Sequence, residues 1–294
     1  MAPFSEEFFV HKHRGTANHL TLGPTPDPPP PPGGGGQPAN ANLFWSEWAN
    51  APSTGCSQAN NTDNGAWDLF VTPGGEGVCD ANNTLTVRND VFWPGGSGKS
   101  LRKTHVPGVV GDGGGGETIV YKTISLGTNH YGYTRMYFSG PMFFGPIHKW
   151  IIMGAGVAQD LYMEFGSYYT YPGNVGPDTS HGRIRVYFTS EDTYYRTINL
   201  QFSSDTWYEI EWHVNTATGL FEMKVDGVLM HWAQEGFNTD LGTSMTRSFT
   251  GPYSYFKWST YTNGSGDSAM QAAMPFYQSM GGCGIGNIDW IRGT

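Results

Sequence analysis

The chain is poor in charge, with 14% charged residues, and has no apolar run near the about eighteen residues a membrane-spanning helix needs. It is also short of the Ala, Leu, Glu and Lys that build long helices, which excludes a helical bundle or coiled coil. Cysteine is scarce, at three residues, and no Cys/His spacing matches a zinc site. Basic residues are outnumbered, 16 against 25 acidic, giving a net charge of −9. A chain with that balance lacks the footprint for phosphate-backbone binding, so nucleic acid is not an expected partner, and neither is a membrane. Residues 1–14 carry no apolar stretch behind a basic start, so no secretory signal is read there.

What the chain has in quantity is glycine (42 residues), proline (19) and aromatic side chains (15%). Many short strands joined by tight turns use such a composition, and the 294 residues suffice for a full β core. Residues 1–42 differ in kind. Pro28 to Pro32 favour an extended polyproline arm, and four glycines follow as a joint. Such an arm is expected to lace the chain to copies of itself or to a scaffold protein; docking on its own domain is the alternative. Residues 43–294 form the expected β domain, with a loop-rich entry at 43–90 and a Gly-rich loop at 91–116. Cys56 and Cys79 flank a polar stretch and are candidates for a disulfide or for reduced thiols, depending on the medium. Asp112 and Glu117 beside GDGGGG make a structural calcium site conceivable; a turn-rich linker is the plainer reading, and no cofactor is expected.

Beyond residue 116 the period-two alternation of half-buried strands is clear. Tyr131, Tyr133, Arg135 and Tyr137 share one side of a strand, with Met136 and Phe138 opposite. Ile184, Val186 and Phe188 alternate with Arg183, Arg185 and Tyr187, and Ile198, Leu200 and Phe202 with polar residues over 196–202. In WYEIEWHVNTATGLFEMKVDGVLMHW (207–232), Tyr208, Ile210, Trp212 and Val214 oppose Glu209, Glu211 and His213. The second half alternates likewise, and Asp226-Gly227 reads as a tight hairpin turn. YSYFKWSTY (253–261) and GIGNIDWIRGT (284–294) complete the strands. The consistent fold class is all-β, an antiparallel jelly-roll sandwich with one wet face per sheet.

The order of W-Y-E-I-E-W-H-V, turn, F-E-M-K-V-D-G-V-L and final I-D-W-I-R resembles the concanavalin A-like lectin/glucanase superfamily. It is most similar to the polysaccharide-lyase-like (alginate and glucuronan lyase-like) and laminin-G-like members. SLRKTHVPGVVGDGGGG (100–116) and YFKWSTY (255–261) resemble segments of the lyase-like sandwiches. The resemblance implies a concave face that binds glycan, and in lyases a carboxylate neutraliser, a base and an acid. With the three strands on one sheet, that face holds Tyr131, Tyr133, Arg135, Tyr137, Arg183, Arg185, Tyr187, Tyr255, Lys257 and Tyr261. Rings stack on sugar faces and Arg pairs with carboxylates. A lyase would draw on Arg135, His148, Tyr255 and Lys257, yet the Gln-x-His strand of alginate lyases is replaced by Pro146-Ile147-His148. Glu209 and Glu211 lack the E-x-D-x-E arrangement of a glycosidase on this fold. PGGSGKS (94–100) lacks the spacing and context of a phosphate loop. The expected role is therefore a non-enzymatic structural or glycan-binding surface protein, such as a virion decoration or tail component, or one released to the outside. The alternative is a lyase cleaving a uronate-containing glycan by β-elimination.

Overall fold

The computed structural model describes residues 36–292 apart from 52–62, 64, 73–74, 77–82, 106–117, 139–147, 156–157, 167–182, 201–202, 204, 235–236, 238 and 263–275. Residues 1–35, Cys56, Cys79, Asp112 and Glu117 lie outside that set, and so do the expectations resting on them. The strands are β1 Phe44–Ser46, β2 Leu69–Thr72, β3 Gly75–Glu76, β4 Asn83–Arg88, β5 Ser100–His105 and β6 Thr118–Gly127. They continue as β7 Asn129–Phe138, β8 His148–Ala155, β9 Ala158–Gly166, β10 Arg183–Phe188, β11 Thr193–Thr197 and β12 Thr206–Asn215. The last are β13 Leu220–Val225, β14 Val228–Leu229, β15 Trp232–Gln234, β16 Ser244–Thr246, β17 Tyr253–Thr262 and β18 Phe276–Gly286.

They form two antiparallel sheets. The first runs β14-β13-β12-β7-β18-β5-β4, with β1 paired to β18 and β16 to β13. The second runs β15-β11-β10-β9-β8-β17-β6-β2-β3. Alternation decides what lies between them. Met136 of β7, Ile210, Trp212 and Val214 of β12, and Phe221, Met223 and Val225 of β13 come from the first sheet. Ile151 and Met153 of β8, Leu161 and Met163 of β9, Ile184, Val186 and Phe188 of β10, and Phe256 and Trp258 of β17 come from the second. Each such side chain adds about 1.5–3 kcal/mol on leaving water. Asp226 and Gly227 both have positive φ (50° and 80°), as a two-residue hairpin turn between right-twisted strands requires.

Three expected boundaries move. Within the 91–116 segment, Ser100–His105 is strand β5, held between β18 and β4. The strand expected over 196–202 lies at Thr193–Thr197, with Tyr195 and Thr197 turned inward, and Leu200 is buried after its end. The final strand is Phe276–Gly286, so residues 287–292 are not strand and instead cross the outer side of the first sheet. The glycines of β18 explain the last difference. A Cβ on Gly284 would meet the Trp45 ring at 2.6 Å, and one on Gly286 the Asn40 carbonyl oxygen at 1.7 Å. The strand expected at 284–294 thus begins earlier and ends at Gly286, with tryptophan and backbone pressed flat against its glycines.

Candidate functional site

The expected face divides in two, because β7 belongs to the first sheet and β10 and β17 to the second. On β7, Tyr131, Tyr133, Arg135 and Tyr137 do share the outer side, but that side is covered. Arg135 is 7% exposed and Tyr133 1%. The Arg135 guanidinium lies 5.5 Å from the Trp45 ring centre and 5.2 Å from that of Trp93. Its Nη1 donates to Glu47 Oε1 at 3.1 Å and its Nε to the Tyr133 hydroxyl at 2.6 Å, while that hydroxyl donates to Glu209 Oε1 at 2.5 Å. Glu209 also pairs with Arg292. Ser97 and Lys99, from the stretch without a phosphate-loop context, instead bond the entry segment, Ser97 to the Glu47 carbonyl and Lys99 to that of Ala49.

At the other end of this layer, Tyr131 stacks on His213 (4.2 Å, 8° between planes) and stands edge-on to Trp290 at 5.6 Å. His213 is held between Glu222 at 3.2 Å and Asn129 at 2.9 Å. The Arg292 backbone N–H donates to Glu211 Oε1 at 2.9 Å. Burial raises the Glu211 and Glu47 carboxyls above the usual carboxylate range, and pushes Asp226, at the hairpin turn beside Glu209, up to about 6. The two carboxylates of the W-Y-E-I-E strand are thus structural here, and the face expected to be wet is an interior polar layer.

The outer side of the second sheet is different. Register places Tyr194 of β11 opposite Tyr187 of β10, and Tyr187 opposite Tyr162 of β9. Tyr162 is opposite Ile152 of β8, Ile152 opposite Lys257 of β17, and Lys257 opposite Tyr121 of β6. One straight row therefore crosses six strands, a span of about 24 Å at ~4.8 Å per strand. The Tyr187 and Tyr194 ring centres are 4.3 Å apart, and those of Tyr162 and Tyr187 5.6 Å. Tyr255 stands two residues along β17, its ring 5.4 Å from Tyr121 and 5.7 Å from the Lys257 ammonium. A charged row runs beside the aromatic one, with Arg196 opposite Arg185 and Arg185 opposite Glu164. Arg185 Nη2 pairs with Glu164 at 2.6 Å, and its guanidinium caps the Tyr194 ring at 3.9 Å. Glu164 is opposite Lys149, which is opposite Tyr261.

Three phenols of this band, Tyr255, Tyr187 and Tyr194, are raised. Burial first, then Tyr121, Tyr162 and Asp160, push Tyr255 up to about 12. The Tyr187 hydroxyl donates to Asp192 at 2.6 Å, and that bond leads the causes taking it to about 12. Burial and then Glu164 raise Tyr194. The side chains of Arg183, Tyr261 and His148 lie outside the described set; their backbones place Arg183 at the start of β10, Tyr261 near the end of β17 and His148 at the start of β8. Sequence reasoning missed Tyr121, Tyr162, Glu164, Tyr194 and Arg196. Alternation in ETIVYKTISL and LYMEFGSYY carried the first three, and the early start of β11 hid the other two. Among the described residues, no three His, Cys, Asp or Glu side chains group as metal ligands. Cys283 is buried and free, its thiol raised by burial.

In sequence the chain matches no family model and no curated protein. Among solved structures it is similar to the marine PL-14 alginate lyase from Aplysia kurodai, at 12% identity and TM-score 0.51 over 83% of this chain and 98% of that one. It is also similar to a doubly substituted alginate lyase Aly36B in complex with an alginate tetrasaccharide, at 14% identity and TM-score 0.50 over 84% of this chain and 97% of that one. At such identities the likeness is one of fold. The fold is the concanavalin-like jelly roll that the sequence motifs resemble.

Proposed function

We propose that this chain is a non-catalytic glycan-binding jelly roll that grips an extended polysaccharide along the outer side of its second sheet. The observation that carries this is the in-register row of Tyr194, Tyr187, Tyr162 and Tyr121, with Lys257 in the row and Tyr255 beside it. Ring faces spaced across a sheet match the apolar faces of successive sugars, and phenol hydroxyls and cations supply the polar contacts. The direction of the phenol shifts favours binding over catalysis. A tyrosine serving as base must lose its proton near neutrality, whereas Tyr255 and Tyr187 are pushed up to about 12. Titration against a panel of acidic and neutral polysaccharides tests the reading. Retention on at least one polymer, weakened by Tyr187→Ala with no unsaturated product, supports it; no retention on any polymer refutes it.

The lyase reading draws on one local observation, the adjacency of Tyr255 and Lys257, and on the shared fold with alginate lyases. In that reading Lys257 neutralises the uronate carboxylate, and Tyr255, as phenolate, takes the C5 proton and returns it to the leaving oxygen as the C4–O bond breaks. Arg135 has no part in it, being tied to Glu47 and Tyr133 on the other sheet. Release of unsaturated uronate that stops in Tyr255→Phe would establish it. Residues 1–42 we assign to self-assembly or attachment to a scaffold, with a virion surface as the setting, on composition alone. A native mass equal to one chain removes that assignment.

A further inference from the structure

The aromatic row on the second sheet has a charged pair built into its Tyr162–Tyr187–Tyr194 end. Glu164 stands two residues along β9 from Tyr162, and Arg185 two residues along β10 from Tyr187, opposite each other in register. Arg185 donates twice to Glu164 Oε2, from Nε at 2.8 Å and from Nη2 at 2.6 Å. Held there, the guanidinium lies 3.9 Å from the centre of the Tyr194 ring. Glu164 is 1% exposed, and the Arg185 side chain 12%.

An arginine takes a sugar carboxylate through the same guanidinium edge, and here the protein's own glutamate already occupies it. A uronate arriving at Arg185 would have to displace Glu164, and a carboxylate left buried without this guanidinium is strongly disfavoured. A second carboxylate stands close to the rings. Asp192, exposed in the turn between β10 and β11, accepts from the Tyr187 hydroxyl at 2.6 Å. Uncharged sugars meet neither obstacle, since their hydroxyls donate to a carboxylate and their apolar faces stack on the rings. Arg196, opposite Arg185, donates to the Phe237 carbonyl at 3.2 Å. Register places Lys149 of β8 opposite Glu164, and Arg183 lies two residues before Arg185 on β10.

We propose, on the glycan-binding reading of this row, that Glu164 sets its specificity: by occupying Arg185 it makes the three-tyrosine end a site for uncharged sugars and disfavours a polyuronate. Arg185 is then a positioning residue, its charge met within the protein and its guanidinium held against Tyr194. Glu164→Gln keeps the length of the side chain and an acceptor for the guanidinium while removing the charge. The Arg185 charge then loses this counter-ion and draws a uronate carboxylate to the row.

Affinity electrophoresis of the full chain against neutral polymers (a β-glucan, a xylan and a galactomannan) and polyuronates (alginate and polygalacturonate) tests this. The parent chain is expected to bind at least one neutral polymer about tenfold or more tightly than either polyuronate. Glu164→Gln is expected to raise polyuronate affinity about fivefold, the difference between a neutral and a charged hydrogen-bond partner, and to leave neutral-polymer affinity as it was. Glu164→Gln/Arg185→Gln should lose that gain, which separates the charge of Arg185 from those of Lys149 and Arg183. A parent chain that prefers a polyuronate, a Glu164→Gln variant that gains nothing, or a gain that survives in the double variant overturns the role of Glu164 and leaves the glycan-binding reading standing. Retention on no polymer removes both. If thermal denaturation shows Glu164→Gln to be unfolded, the preference of the parent chain decides.

Discussion

The two outer sides of this sandwich are built from the same residue types and do opposite things. On the first sheet, Arg135 is 7% exposed, Glu209 3% and Tyr133 1%, locked together under tryptophans and the 287–292 strap. On the second, Tyr121, Tyr162, Tyr187, Tyr194, Arg185 and Lys257 are half-buried and the tyrosines lie side by side, while Tyr255 (2% exposed) and Glu164 (1%) are buried among them. A Tyr/Arg alternation in sequence thus carries no information on whether its face meets solvent. What decides is the rest of the chain. Among the described residues, the entry segment and residues 287–292 lie over β7 and β12.

The sharpest way to break this comparison is to remove Arg135. Its loss leaves Glu47 buried without its guanidinium and Glu209 with Arg292 alone, and removing one partner of a buried pair costs about 3–5 kcal/mol. Urea denaturation of Arg135→Ala should show it. A variant of unchanged stability would mean the first face is open after all. Next in size is an acid effect inside the core. His130 is fully buried, neither ring nitrogen has a hydrogen-bond partner, and burial holds it down to about 3. A histidine depressed in the folded state stabilises the fold above its ordinary value of about 6.5, and that contribution shrinks as pH falls below it, by up to ~1.4 kcal/mol per pH unit. His130→Leu is expected to move the acid-unfolding midpoint to lower pH; an unmoved midpoint would place the acid sensitivity elsewhere.

On the second face the effects should appear in binding. Removing the Tyr187 or the Tyr194 ring is expected to weaken polysaccharide affinity by about 0.5–1.5 kcal/mol, roughly two- to twelvefold. Smallest is the effect of Lys257→Ala on stability, within about 0.5 kcal/mol for a residue outside the core. A loss of several kcal/mol there would make Lys257 a structural cation like Arg135.

Much of the sandwich was legible in the sequence. The alternation of β7, β10, β12 and β13 gave the inward side of each correctly, and Asp226-Gly227 marked its turn. Two things were not legible. Sheet membership depends on which strands the chain brings together across long separations, and no local pattern in 131–137 reports that β7 pairs with β12 and β18 rather than with β10 or β17. Glycine was the other obstacle. In β18 it makes room for Trp45 and Asn40, an explanation visible only once those groups are in place. The tyrosine row suffered from both, because its members come from separate strands and acquire meaning only in register.

Affinity electrophoresis or titration calorimetry on a responsive polysaccharide, comparing Tyr187→Ala/Tyr194→Ala with Tyr131→Ala, tests the assignment of the binding face most directly. The account predicts that the pair on the second sheet loses about tenfold or more in affinity while Tyr131→Ala binds as the parent chain does. Loss of binding in Tyr131→Ala with the second-sheet pair unaffected would contradict it, and would move the glycan to the face under the strap.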